Sequence, residues 1–150
     1  MIITSKRALL AIKDNNDDTI YFVKYNFEWN NKREFRVFIY KGKVTCISQY
    51  SSYDKSVFSG QSTAKIKDNV RKIADWLEGE ILPTVCARIN TLNVTADIYF
   101  DEVRSESCLK IIELNSFGYW LAAGSSLFHW LKDKSKLYNE NSDIWVRIIK

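Results

Sequence analysis

The 150-residue chain has one proline, one histidine and three cysteines, and no apolar run approaching the roughly 18 residues needed to span a bilayer. Each scarcity excludes something. His129 has no second histidine or nearby cysteine, which argues against a zinc site, and no evident nucleophile partner, which argues against a hydrolase. Cys46, Cys86 and Cys108 are far apart and odd in number, so they form neither a zinc spacing nor a disulfide framework. Three buried, reduced thiols are expected, which fits the cytosol. The start, "MIITSKRALLAI", has an apolar stretch too short and interrupted for a signal peptide. With no repeat, linker or low-complexity segment, residues 1–150 are expected to form a single soluble, cytoplasmic domain without a membrane segment.

What is present suits a packed core: 46% hydrophobic residues and 14% aromatics. Net charge is +4, and residues 1–50, with nine Lys/Arg against five Asp/Glu, carry the whole excess. A basic first third suits phosphate, whether of a nucleotide or of a nucleic acid. Along the chain, "TSKRALLAIK" (4–13) reads as a short helix and "TIYFVKYNF" (19–27) as a strand. "EFRVFIY" (34–40) and "KVTCISQ" (43–49) read as a hairpin turning at Lys41-Gly42. From Ser62, the apolar residues Ile66, Val70, Ile73, Leu77 and Ile81 recur at helical spacing. Pro83 marks a kink or the first turn of a continuation to about Ile89. Strands follow at 93–100 and 107–114, then a short helix near 125–132 and a last strand at 143–149. This order predicts an α+β fold, a mainly antiparallel sheet packed on one long helix.

One stretch carries candidate chemistry. Asp97 shares a face with Thr95 and Tyr99, and alternation places Glu113 and Asn115 on one face with Leu109 and Ile111. A hairpin centred near Ser105 sets Asp97 opposite Glu113, about 5 Å apart. Residues 113 and 115 are about 6.5–7 Å apart along the strand. Two carboxylates and an amide oxygen then converge, and opposed like charges destabilise a sheet unless something positive intervenes. A Mg²⁺ ion answers that need. The alternative is that Glu113 ends its strand in solvent and Asn115 caps a turn.

"EFRVFIYKGKVTCISQY", "ADIYFDE", "IIELNSFG" and "SSLFHW", in this order and spacing, resemble the cell division cycle protein 123 family, also called D123, from about Ile20 to Trp130. That resemblance implies an ATP-grasp fold, of which this chain keeps the C-terminal lobe, and a role as an assembly chaperone for eukaryotic translation initiation factor 2. It implies that Asp97, Glu113 and Asn115 are Mg²⁺ ligands, Glu113 replacing the usual Asp. It implies that Arg36 contacts nucleotide phosphates and that Lys24 lines the adenine pocket. The chain departs from the family at Ser116, where Pro is usual, at Tyr50, where Arg is usual, and at Gly124, where Asp is usual. The lobe preceding Ile20 is reduced here to about nineteen residues, so the resemblance implies a minimal one-lobe nucleotide binder, a clasp completed by a partner, or a relic site.

These observations frame three readings. One is a small protein that binds Mg-ATP and docks on a protein partner, with the partner or a second copy completing the site. Another is an ATP-dependent carboxylate–amine ligase, for which one lobe is short. The third is a single-strand nucleic-acid binder, since residues 21–43 interleave eight aromatics with six Lys/Arg.

Overall fold

A computed structural model of the chain describes residues 29–102, 109–121 and 124–150. The helix expected at 4–13, the strand expected at 19–27, Lys24 and Cys108 lie outside the described residues. Five strands form one sheet: β1 (Glu34–Tyr40), β2 (Lys43–Gln49), β3 (Val94–Phe100), β4 (Leu109–Ser116) and β5 (Trp145–Arg147), in the order β4-β3-β1-β2-β5. All neighbours are antiparallel except β5, which runs parallel to β2. The fold is the expected α+β class. The last strand is shorter than the expected 143–149, and the sheet is mainly antiparallel as expected, β5 being its one parallel member among the described residues.

Alternation in β1 and β3 directs two sets of side chains to opposite sides. Phe35, Val37 and Ile39, with Val94, Ala96, Ile98 and Phe100, face helix α1 (Thr63–Trp76) and form the main core with Val70, Ile73 and Leu77. Ser62 caps α1, its side chain accepting from the Lys65 amide. The helix continues through a π-helical segment, Leu77–Ile81, into α2 (Leu82–Ile89), where Pro83 occupies the first turn. The π turn has a packing reason. The Leu82 amide donates to the Leu77 carbonyl, five residues back, and both leucines are buried. Trp76 packs against the same core, half-buried.

The β1–β2 turn takes positive φ at both central residues, Lys41 (51°) and Gly42 (75°), the backbone twist that a two-residue hairpin favours. Thr45 is the extra residue of a bulge: Phe38 pairs with Cys46, but Ile39 pairs with Val44. Its buried hydroxyl donates to the carbonyls of Phe38 and Leu137. Glu78 steadies this end of β2, accepting from the Val44 amide at 2.8 Å and from Lys43 Nζ at 2.7 Å.

On the other side of the sheet, Phe38 and Cys46 meet Phe117, Phe128, Trp130 and Leu137 in a smaller aromatic cluster. Phe38 has edge-to-face contacts with Phe128 and Trp130 at 5.7 and 5.4 Å. Because Phe35 and Phe38 are fully buried, neither offers a ring for base stacking. The helix expected near 125–132 is absent. Those residues form turns, and the short helix α3 comes later, at Lys134–Leu137. The Leu127 amide donates to Ser48 Oγ, and Arg147 donates to the Leu127 carbonyl, so the sheet takes backbone groups a helix would have used. No helix among the described residues is long and apolar enough to cross a membrane.

Candidate functional site

The ladders align one residue from each strand into a row across the sheet. Glu113 opposes Asp97, Asp97 opposes Arg36, Arg36 opposes Ser48 and Ser48 opposes Arg147. All lie on the side away from α1. The expected pairing of Asp97 with Glu113 is therefore observed, but its surroundings differ. Ile98 pairs with Ile111, leaving Ile112 as an inserted bulge residue. The bulge reverses the alternation, so Leu109 and Ile111 pack toward the main core while Glu113 and Asn115 stay on the opposite side. The shared face read for these four residues is thus corrected: the strand carries one face before the bulge and the other after it.

The row brings Arg36, Asp97, Glu113 and Asn115 together. Arg36 donates from Nε to Asp97 Oδ1 at 2.7 Å and from Nη2 to Asp97 Oδ2 at 2.6 Å, a bidentate pair. Side-chain exposure is 7% for Arg36 and 1% for Asp97. Nη2 is also 4.0 Å from Glu113 Oε1, whose side chain is 56% exposed. Asn115 Nδ2 donates to Asp97 Oδ2 at 3.3 Å and to Glu113 Oε1 at 3.0 Å. The positive charge that two opposed carboxylates require is thus supplied by Arg36 itself.

The other groups around Arg36 were not legible as site residues. Gly124 accepts from Nη1 at 2.7 Å, and a Cβ at that position would lie 3.0 Å from the same nitrogen. Tyr50 lies under the guanidinium, 5.0 Å from ring centroid to Cζ. These are two of the positions where the chain departs from the family pattern. Glu34 shares the face, and burial raises its carboxyl above the ordinary range against a hydrogen bond from Trp29. The Trp29 ring lies against Tyr99, tilted by 37° with centroids 4.4 Å apart. Burial raises Asp97 against the pull of Arg36, and Glu113 adds to the rise. Arg36 is raised by its hydrogen bond to Asp97. At the far end of the row, Arg147 forms a second bidentate pair with Asp133, at 2.7 and 2.6 Å.

The donor set can accommodate Mg²⁺: two carboxylates and one amide oxygen are hard ligands, few enough to leave room for phosphate. In the described arrangement Arg36 occupies both Asp97 oxygens, and Asn115 presents its nitrogen rather than its oxygen. A cation would therefore need Arg36 to move off Asp97 and the Asn115 amide to turn.

Fold and site define a small α+β domain with a charged row on one sheet face. The D123 family model matches residues 12–150. The chain belongs to the D123 family. It is 30% identical over 108 residues to a putative CDC123-like protein of Acanthamoeba polyphaga mimivirus, covering 72% of this chain and 32% of that protein. The structure of C-terminally truncated Cdc123 from Schizosaccharomyces pombe is similar in fold, with a TM-score of 0.55 at 20% identity over 95% of this chain and 57% of that one. The chain thus spans about a third of the viral relative and little over half of the solved chain.

Proposed function

We propose that this D123-family protein binds a Mg²⁺-nucleotide on the Arg36–Asp97–Glu113–Asn115 face and acts on a protein partner in an assembly-chaperone-like manner, by binding rather than turnover. What supports the nucleotide half is one observation: four residues from three adjacent strands, separated by up to 79 positions in sequence, converge within hydrogen-bonding and ion-pairing distance. Asp97, Glu113 and Asn115 would hold the ion, and Arg36 would turn to phosphate. Bound there, Mg²⁺ would neutralise phosphate charge. Arg36 would orient the phosphates through its fork of donors. The Glu113 rim of this face, its side chain 56% exposed, meets water, so phosphates held there stay solvated and each contact is weak and screened by salt. Affinity is therefore low for the chain alone and rises when a partner covers the face.

Calorimetry of the full chain with ATP, with and without Mg²⁺, tests this. Binding that requires Mg²⁺, weakens with salt and is lost in Glu113→Gln is the expected result. Mg²⁺-independent binding, or none at millimolar ATP, overturns it.

A further inference from the structure

A different surface carries an inference of its own. β5 is the last strand of the sheet, and among the described residues its outer edge has no neighbouring strand. Between that edge and α1 runs a groove of about 570 Å³, with Ile66 and Val70 on the helix side and Ile144, Val146 and Ile148 on the strand side. These residues belong to the main core or pack against it, so among the described residues the core opens along this groove. On the helix rim, Lys67 and Arg71 stand one turn apart, exposed, and neither has an acidic partner among the described residues. Among the described residues Asp143 is the only acid lining the groove, and Lys150 adds a further base. Beyond Arg71 an adjoining hollow holds Asp75 with Glu78 and Glu140, the last two already paired with Lys43 and Lys41.

We infer that this groove docks an extended segment of a protein partner, alternately apolar and acidic, which adds as a sixth strand to the free edge of β5. The inference gives the partner-binding half of the proposed function a place and a chemistry, and it does not involve the nucleotide face. Three features select the occupant. An open edge offers backbone donors and acceptors to an extended chain. The apolar floor takes side chains of one face of that chain, at a period of two residues. Lys67 and Arg71, without an acidic partner among the described residues, select carboxylates at the helix rim. A second copy of this chain is the poorer occupant, because its own β5 edge offers Ile144, Val146 and Ile148 but, among the described residues, only Asp143 to pair with Lys67 and Arg71.

The test uses the full chain without ATP or Mg²⁺, so a negative result leaves the nucleotide reading standing. The probe is a fluorescently labelled peptide of alternating valine and glutamate, followed by anisotropy. It is expected to bind, and the double substitution Lys67→Glu/Arg71→Glu should weaken binding by about tenfold, two surface charge pairs turning repulsive. A peptide of alternating valine and lysine should show the reverse preference, binding the double variant better. Methylating alternate peptide amides should abolish binding if the strand is added through its backbone. The inference fails if the valine–glutamate peptide does not bind, as when this chain's own residues or a second copy fill the groove. It also fails if a glycine–glutamate peptide binds equally well, or if charge reversal leaves affinity unchanged.

Discussion

Substituting Asp97 tests whether the Arg36 pair is buried in solution as it is in the structure. In Asp97→Ala the guanidinium, 7% exposed, loses both bidentate acceptors and keeps the Gly124 carbonyl, the Tyr50 ring and the largely solvated Glu113 carboxylate at 4.0 Å. Removing one partner of a buried pair costs about 3–5 kcal/mol, because the other charge stays in low dielectric uncompensated. For a chain of this length each kcal/mol shifts the midpoint by about 2–4 °C, so Tm should fall by roughly 6–20 °C. Arg36→Met should cost as much, since it leaves Asp97 alone at 1% exposure. The double variant Arg36→Met/Asp97→Ala should be more stable than either single variant, because no buried charge remains. Glu113→Gln is the contrast. Its side chain is 56% exposed and 4.0 Å from Arg36, so the change should stay within about 1 kcal/mol. Thermal scans and urea unfolding, both followed by tryptophan fluorescence, measure all four, with constant urea slope as the check for two-state behaviour. An Asp97→Ala shift below about 3 °C, or a double variant as unstable as the summed singles, would refute the buried-pair argument.

Acid should weaken the Asp133–Arg147 anchor. Burial alone would raise the Asp133 carboxyl, but hydrogen bonds from Arg147, the His129 amide and Lys136 hold it below the ordinary value. Its contribution is present above the unfolded carboxylate pKa near 3.9 and is lost as pH falls through the lower folded value. The Tm of Asp133→Asn should therefore decline less between pH 5 and pH 2 than that of the wild type, in paired thermal scans. Burial raises the Cys46 thiol to about 12, so it should resist alkylation at pH 8 in the folded chain and react once urea unfolds it, as peptide mass mapping will show. Gly42→Ala places a side chain at φ 75° with its nearest neighbour 3.8 Å away. The cost should come from the backbone alone, about 1–2 kcal/mol in urea unfolding.

The sequence makes the local parts of this fold legible. The alternation of Phe35, Val37 and Ile39 and the Lys41-Gly42 turn define the β1–β2 hairpin to the residue, because both signals are short-range. Hairpin symmetry about Ser105 likewise places Asp97 opposite Glu113. The bulge at Ile112 stays hidden because the inserted residue is apolar, like its neighbours. Its trace is that Leu109, Ile111, Glu113 and Asn115 share one phase while demanding opposite environments. The apolar spacing of Leu127, Phe128 and Leu131 suits a helix, and only contacts from Ser48 and Arg147, distant in sequence, turn that segment into turns. The Arg36 environment is hidden for the same reason: Gly124 and Tyr50 are read as departures from a pattern, and only the folded chain brings both to the guanidinium.

The bulge in β4 has a consequence for how this strand can change over time. Ile112 works as a phase shifter: upstream of it the odd-numbered residues feed the core, and downstream they feed the charged row. A single-codon deletion at 112 would keep every other side chain yet force a choice between two faces. Either Leu109 and Ile111 turn out beside Asp97, or Glu113 and Asn115 turn in against Ala96 and Ile98. Point substitutions at 112 are tolerable, because its side chain is 38% exposed and pairs with nothing across the ladder. Homologous strands should therefore vary in identity at this position and keep their length, so that a gap in the sequence there marks a protein whose charged row has been abandoned.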